Sequence, residues 1–164
     1  MRGLGIDPGT ATLGWGVIDH QGSTTRAVDY GAITTPPEVA ENRRLEMLYE
    51  GLTKLCQTFQ PEAAAVEKLY FGQNSRTAMI VGQARGIVLL VLAQHRVAYV
   101  EMSPAEVKQA VTGYGRAEKR QVQLMVQRLL GLRDYPSPDD AADALAIAIC
   151  GAENLRFQKS SGVF

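Results

Sequence analysis

Four carboxylates stand where they could do metal chemistry. Asp7 closes the apolar segment before a Pro-Gly turn in GIDPGT, Glu67 closes AAAVE, and Asp140 and Asp143 lie three apart in DDAADALAIAI. Each also has an ordinary explanation: Asp7 as turn chemistry, Glu67 as a strand-end charge reaching water, and Asp140, third after a capping Ser137, as a complement to the helix dipole. Asp139 has the same excuse as Asp140. Asp143 has less of one, because it sits among Ala141, Ala142, Ala144, Leu145, Ala146 and Ile147, and a charge on a packed face needs a cation. Four converging carboxylates would repel one another unless hard cations lay between them. Oxygen ligands without a His or Cys cluster suit Mg²⁺ or Mn²⁺, and two such ions ~3.5 to 4 Å apart can clamp a phosphate and activate water for in-line displacement. No spacing rule brings residues 7, 67 and 140 together, so convergence is an expectation about the fold.

The elements that must position these groups are legible. Gly3 to Ile6, Gly14 to Ile18 and Ala27 to Ile33 read as three short strands whose intervening turns are too tight for helices, hence an antiparallel meander. Leu45, Leu48, Leu52, Leu55 and Phe59 recur at helical spacing before Pro61. Ala63 to Val66 is a strand expected to emerge at the sheet's edge. A helix capped by Asn74 or Ser75 runs to about Gln94, and Val97 to Val100 returns as a strand. Ser103-Pro104-Ala105-Glu106 is a capping box opening a short helix. A loop with two glycines precedes a helix carrying Val122, Met125, Val126, Leu129 and Leu130, stopped by Gly131. Ser137-Pro138 opens the last helix, through Ala142 to Cys150, and the tail from Glu153 is expected to be poorly ordered. The result is an α/β domain over residues 1–152 with a mixed five-stranded sheet flanked by helices, followed by a tail over 153–164.

Composition narrows the classes. The 164 residues fit one domain, and 46% apolar with 21% charged residues is ordinary for a globular chain. Seventeen basic and seventeen acidic residues cancel, so the total predicts no polyanionic partner, but the distribution does. Residues 68–133 hold ten Lys/Arg against three Asp/Glu, between acidic flanks. Cys56 and Cys150, 94 residues apart in apolar helical patterns, read as buried reduced thiols. With no apolar leader at the start, and Ile87 to Ala93 too short to span a bilayer, a cytoplasmic location is expected.

GIDPGTATLGWGVI, the AVEKLYFGQN strand exit, GQARG, VKQAVTGYGRAEKRQVQ and DDAADALAIAI together resemble the RuvC family in order and spacing over nearly residues 1–150. The resemblance implies a ribonuclease H-like fold, a homodimer, and a divalent-metal endonuclease, with Mg²⁺ replaceable by Mn²⁺, that resolves four-way Holliday junctions by paired nicks in recombination and repair. It also implies the branch-migration complex of RuvA and RuvB as partners. Carried over residue by residue, the family's acidic tetrad falls on Asp7, Glu67, Asp140 and Asp143, its basic residues near the cut strand on Lys108 and Lys119, and its aromatic after the strand acid on Tyr70, where Phe is the commoner residue. Asp139 becomes an extra neighbour. Lys108, Arg116, Lys119 and Arg120 gather around the Gly-containing loop, either as phosphate contacts or as a solvated face. Tyr70 and Phe71 are either core or rim aromatics, or a stacking element beside the acid. Gly82 and Gly86, one helical turn apart, let another helix approach closely, and the resemblance favours a helix across a dimer axis.

Two other functions compete. GIDPGT also resembles the phosphate loop of actin-like ATPases and sugar kinases, but those need two lobes around the nucleotide and this chain supplies one. A non-catalytic junction-binding protein would have no use for four metal-demanding carboxylates.

Overall fold

The computed structural model describes residues 1–70 and 75–160, with side chains as far as residue 154. Strands β1 (Arg2–Asp7), β2 (Thr12–Gln21) and β3 (Thr24–Thr34) form the expected antiparallel meander. On its other side β1 pairs in parallel with β4 (Ala63–Glu67), which pairs in parallel with β5 (Ala98–Met102), so the order is β3-β2-β1-β4-β5. This is the mixed five-stranded sheet the pattern predicts, with one correction: the strand ending in Glu67 lies inside the sheet, and β5 forms the edge. The reason lies in the run Ala63-Ala64-Ala65-Val66. All four are buried, and a strand apolar on both faces belongs between parallel neighbours covered by helices.

Helices α1 (Glu41–Phe59) and α2 (Ser75–Gln94) cover one face, and α3 (Pro104–Thr112), α4 (Lys119–Leu130) and α5 (Asp139–Ser160) cover the other. The first face buries Leu4, Ile6, Leu13, Val17, Ala64 and Val66 against Leu48, Leu52 and Cys56 of α1 and Ala84, Val88, Val91 and Leu92 of α2. The second buries Ile18, Ala65 and Met102 against Val107, Val122, Val126 and a nearly continuous apolar run of α5. Cys56 and Cys150 are buried free thiols, as expected.

The local stops and starts follow the sequence. In α3 the Glu106 N–H donates to Ser103 Oγ and the Ser103 N–H to Glu106 Oε2, which completes the capping box. Gly131 ends α4 in a left-handed conformation, φ 63°. Both ends of the last helix differ. Helix α5 begins at Asp139, with the Pro138 carbonyl accepting from Ala141 and Ala142, so Asp140 is its second residue rather than its third. The same helix continues to Ser160, past the end expected near Cys150 and into the tail assigned to residues 153–164; positions 161–164 lie outside the described residues. The Asn74 cap and Phe71 also lie outside them. The apolar run Ile87 to Ala93 is too short to cross a bilayer, but helix α2 around it, Ser75–Gln94, is long and apolar enough to do so by length and composition. Its buried stripe nevertheless sits on the sheet beside α1.

Candidate active site

Strand alternation aims the first two carboxylates. Because successive side chains point to opposite faces, burial of Ile6 and Val66 against α1 and α2 turns Asp7 and Glu67 toward α5. The parallel register pairs Ile6 with Val66, so the next step places Asp7 and Glu67 side by side at the ends of adjacent strands. Helix α5 comes unusually close to meet them. A side chain at Gly5 would strike the backbone of Ala144 and Ala148, and one at Gly14 would strike the backbone of Asp140. Gly14 is the register partner of Asp7. Its missing Cβ is thus what allows the start of α5, with Asp140, to lie against the strand next to Asp7. Asp143, three residues on, projects from the same helix face.

The electrostatics show the crowding directly. Burial, then the charge of Glu67, then that of Asp143, a hydrogen bond with Glu67 and the charge of Asp140 push the Asp7 carboxyl up to about 8. Glu67 is also raised, by burial and by Asp143, with its hydrogen bond to Asp7 acting in the opposite sense. Burial and neighbouring charge thus push both carboxyls toward their protonated forms. Asp143 is raised by burial and by Asp139 and Asp140, against the opposing effect of Lys119. The cation that Asp143 requires is Lys119, whose Nζ lies 3.4 Å from Asp143 Oδ2 and 3.3 Å from Asp139 Oδ2. Burial disfavours the Lys119 ammonium, yet the charges of Asp143 and Asp139 raise it overall. In this arrangement no three acidic, His or Cys side chains among the described residues close on one point at metal-ligand range. A hydrogen bond joins Asp7 and Glu67, and the Lys119 ammonium joins Asp143 and Asp139.

A cleft of about 240 Å³ opens beside the acids, lined by Glu67, Asp143, Lys108 and Lys119 over an apolar floor that includes Val107, Val122 and Ile147. It brings Lys108 and Lys119 together with two of the carboxylates, as the sequence reading expects. Arg116 and Arg120 are exposed and form no ion pair among the described residues. Tyr70 is 65% exposed, three residues past Glu67, which sets aside its core alternative. Gly82 and Gly86 lie on α2, away from the carboxylates, with open space where a side chain would be. The sequence reading missed two contributors. Gly14 carried a signal, the alternating glycines of GIDPGTATLGWGVI that leave one face of β1 and β2 bare. Asp139 as second anchor of Lys119 carried none, since no spacing links residues 119 and 139.

Comparison with known proteins places this geometry. The family model described as crossover junction endodeoxyribonuclease RuvC matches residues 3–151. The chain belongs to the RuvC family. A RuvC endonuclease of Chloroflexus aggregans is 58% identical over 152 residues, 93% of either chain, and that of Rubrobacter xylanophilus is 56% identical over 98% of this chain and 89% of its own. Thermus thermophilus RuvC in complex with a Holliday junction substrate superposes with a TM-score of 0.91 at 37% identity, covering 96% of each chain. The yeast mitochondrial Holliday junction resolvase, at 13% identity and a TM-score of 0.67, shares the fold. RuvC membership confirms the ribonuclease H-like assignment and removes the actin-like ATPase reading.

Proposed function

We propose that this chain is a Holliday junction resolvase that nicks DNA through a divalent-metal site formed by Asp7, Glu67, Asp140 and Asp143. One observation carries the site: two strand ends and one helix face direct carboxylates at each other so closely that burial and mutual charge hold Asp7 up to about 8. The donor set fits a hard cation, being all oxygen and short of positive charge. When bound, Mg²⁺ supplies an activated water and offsets charge on the leaving oxygen; two ions are proposed, with Mn²⁺ able to substitute.

The protein's own groups supply the rest. Asp7 and Glu67, whose carboxyls burial and neighbouring charge push up, would hold a cation in their ionised form. Lys119, which contacts Asp143 and Asp139, would together with Lys108 neutralise phosphates of the cut strand, while exposed Arg116 and Arg120 would hold the flanking backbone without reading bases. Tyr70 presents a ring on which a base unpaired at the junction can stack. The sheet and α5 bring the backbones that carry the carboxylates together before DNA arrives, leaving side-chain adjustment as what a cation would require.

One set of carboxylates cuts one strand, and resolution takes two opposed cuts, so the working unit is a two-fold dimer. Helix α2 is the contact we assign, because Met79 and Leu90 are exposed on it and Gly82 and Gly86 leave room for close approach. RuvA and RuvB are the proposed source of the junction, in the cytoplasm. The test is incubation with mobile and immobile four-way junctions in Mg²⁺ and in EDTA. Metal-dependent symmetric nicks are expected; full activity in EDTA would remove the metal account, and junction binding without cutting would leave a non-catalytic binder.

A further inference from the structure

Among the described residues only two polar side chains are buried, Thr10 at 5% exposure and Thr35 at 4%, and they belong to one hydrogen-bonded chain. Arg44 Nε of α1 donates to Thr35 Oγ1 at 2.8 Å, and Thr35 Oγ1 donates to the Thr10 carbonyl at 2.6 Å. Thr10 Oγ1 in turn donates to the Ile80 carbonyl of α2 at 3.1 Å. The Thr35 N–H adds a bond to the Ala11 carbonyl. Thr10 lies three residues beyond Asp7, in a turn so tight that a side chain at Gly9 would strike the Thr12 carbonyl. The turn that leads out of the carboxylate cluster is therefore held from the α1 and α2 side of the sheet, opposite to α5.

The bond to Ile80 is not one the helix needs. A carbonyl in the first turns of an α-helix already accepts the N–H four residues on; it is the buried Thr10 hydroxyl that requires a partner. Ile80 sits next to exposed Met79 and two residues before Gly82, on the stretch assigned above to the dimer contact. The bond ties the Asp7 turn to α2 through a buried donor, the Thr10 hydroxyl, and the carbonyl of half-buried Ile80.

We infer that Thr10 is a positioning residue through which α2 sets the Asp7 turn, so that pairing of two chains across α2 and readiness to cut are linked. The inference rests on the dimer reading. It gives the two cuts of one junction a physical connection: each Asp7 turn is held by the helix that faces the other chain.

The test compares Thr10→Val, which keeps the shape and removes the donor, with Thr10→Ser, which keeps the donor. On a plasmid extruding a cruciform, Thr10→Val is expected to slow the first cut roughly three- to tenfold, the worth of one net hydrogen bond, and to accumulate nicked circles in place of linear product. Junction affinity should be unchanged, and Thr10→Ser should restore both rate and product ratio. A wild-type product ratio in folded Thr10→Val, or a Thr10→Ser variant as impaired as Thr10→Val, overturns the inference. The wild-type protein gives a second measurement that survives failure of either variant to fold. Amide exchange at residues 9–12 should slow as sedimentation shows dimer forming with concentration. A dimer whose exchange at 9–12 is independent of concentration overturns the linkage alone; a chain that stays monomeric overturns the dimer reading and the linkage with it.

Discussion

Lys119 Nζ bridges Asp143, at 3.4 Å, and Asp139, at 3.3 Å, although its own helix begins on that residue and the acids belong to another. Its side chain is 56% exposed, so the two acids compete for it with a phosphate rather than burying it. A divalent cation on the carboxylates would remove that competition, which makes the phosphate contact conditional on metal.

The first prediction follows from that condition. Neutralising a phosphate-contacting lysine lowers the slope of log affinity against log salt by about one. With Ca²⁺ present to fill the site without supporting rapid turnover, Lys119→Ala should show that loss on junction DNA. In EDTA the wild type and Lys119→Ala should have nearly the same slope, whereas Lys108→Ala should lower it in both conditions. Equal losses for Lys119→Ala with and without the metal would show that the carboxylates do not sequester it.

The second prediction concerns pH. Asp7 is raised by burial and by Glu67, Asp143 and Asp140, to about 8 in the folded chain against 3.8. A carboxyl with a raised folded value contributes stability that is complete below about 4 and is lost as pH rises toward 8. Without metal, thermal stability should therefore fall between about pH 5 and 8. Asp7→Asn, which cannot ionise, should be the more stable protein at pH 8 by on the order of 2 kcal/mol, roughly 4 to 8 °C in Tm, with a smaller difference at pH 5. Mg²⁺ should raise the Tm of the wild type more than that of Asp7→Asn, and its half-saturating concentration for nicking should fall as pH rises through this range. A Tm difference that does not change with pH would contradict the burial-and-repulsion account.

Much of this site could be read in advance because its parts are local. A strand ending in Asp before Pro-Gly, a strand ending in Glu, and two acids one turn apart are patterns a one-dimensional reading can find. What it could not find depends on pairs of elements meeting. The run Ala63–Val66, apolar on both faces, marks β4 as an interior strand, but which strand covers its far edge is fixed only by the pairing with β5. Lys119 was read as a phosphate contact and not as the partner of Asp143, because the approach of α4 to α5 is set by Val122 and Val126 packing on the α5 side of the core and not by any motif. The start of α5 was misplaced by one residue since Ser137, a good cap by type, yields that place to Pro138, whose carbonyl accepts the first helical bonds.

The third prediction separates chemistry from binding at the strand acids. Glu67→Gln keeps the size and hydrogen-bonding reach of the side chain that meets Asp7 but removes half of that pair's charge. Nicking should fall to background while junction affinity in EDTA stays within about twofold of wild type, because phosphate contacts carry the binding energy. Affinity lost in step with nicking would mean that Glu67 holds the fold of the cleft and not a cation.

The fourth prediction tests the exposed ring. Tyr70 is 65% exposed, and a hydroxylated ring serves for stacking as a plain one does. Tyr70→Phe should resolve junctions like wild type, and Tyr70→Ala should lose ~1 to 3 kcal/mol of junction-specific interaction, read as weaker fluorescence change of 2-aminopurine at the crossover. Failure of the Phe variant would shift the role from the ring to the hydroxyl.

The last prediction uses a property of α2 in the single chain. A side chain added at Gly82 meets nothing within 4 Å, and leucine is a better helix former than glycine by about 1 kcal/mol. Gly82→Leu should therefore leave the isolated domain as stable or more so, which removes unfolding as an explanation of any loss. If α2 faces its copy across a two-fold axis, however, the added side chain appears twice in one narrow contact, where overpacking costs ~1 to 3 kcal/mol. Sedimentation should then show a dimer weakened by about one to two orders of magnitude, and the cruciform plasmid should give nicked circles before linear product. Nicking of a single junction strand at protein concentrations above the weakened dimer constant should recover, because the carboxylates lie elsewhere. A dimer of undiminished strength in Gly82→Leu would place the contact on another surface of the molecule.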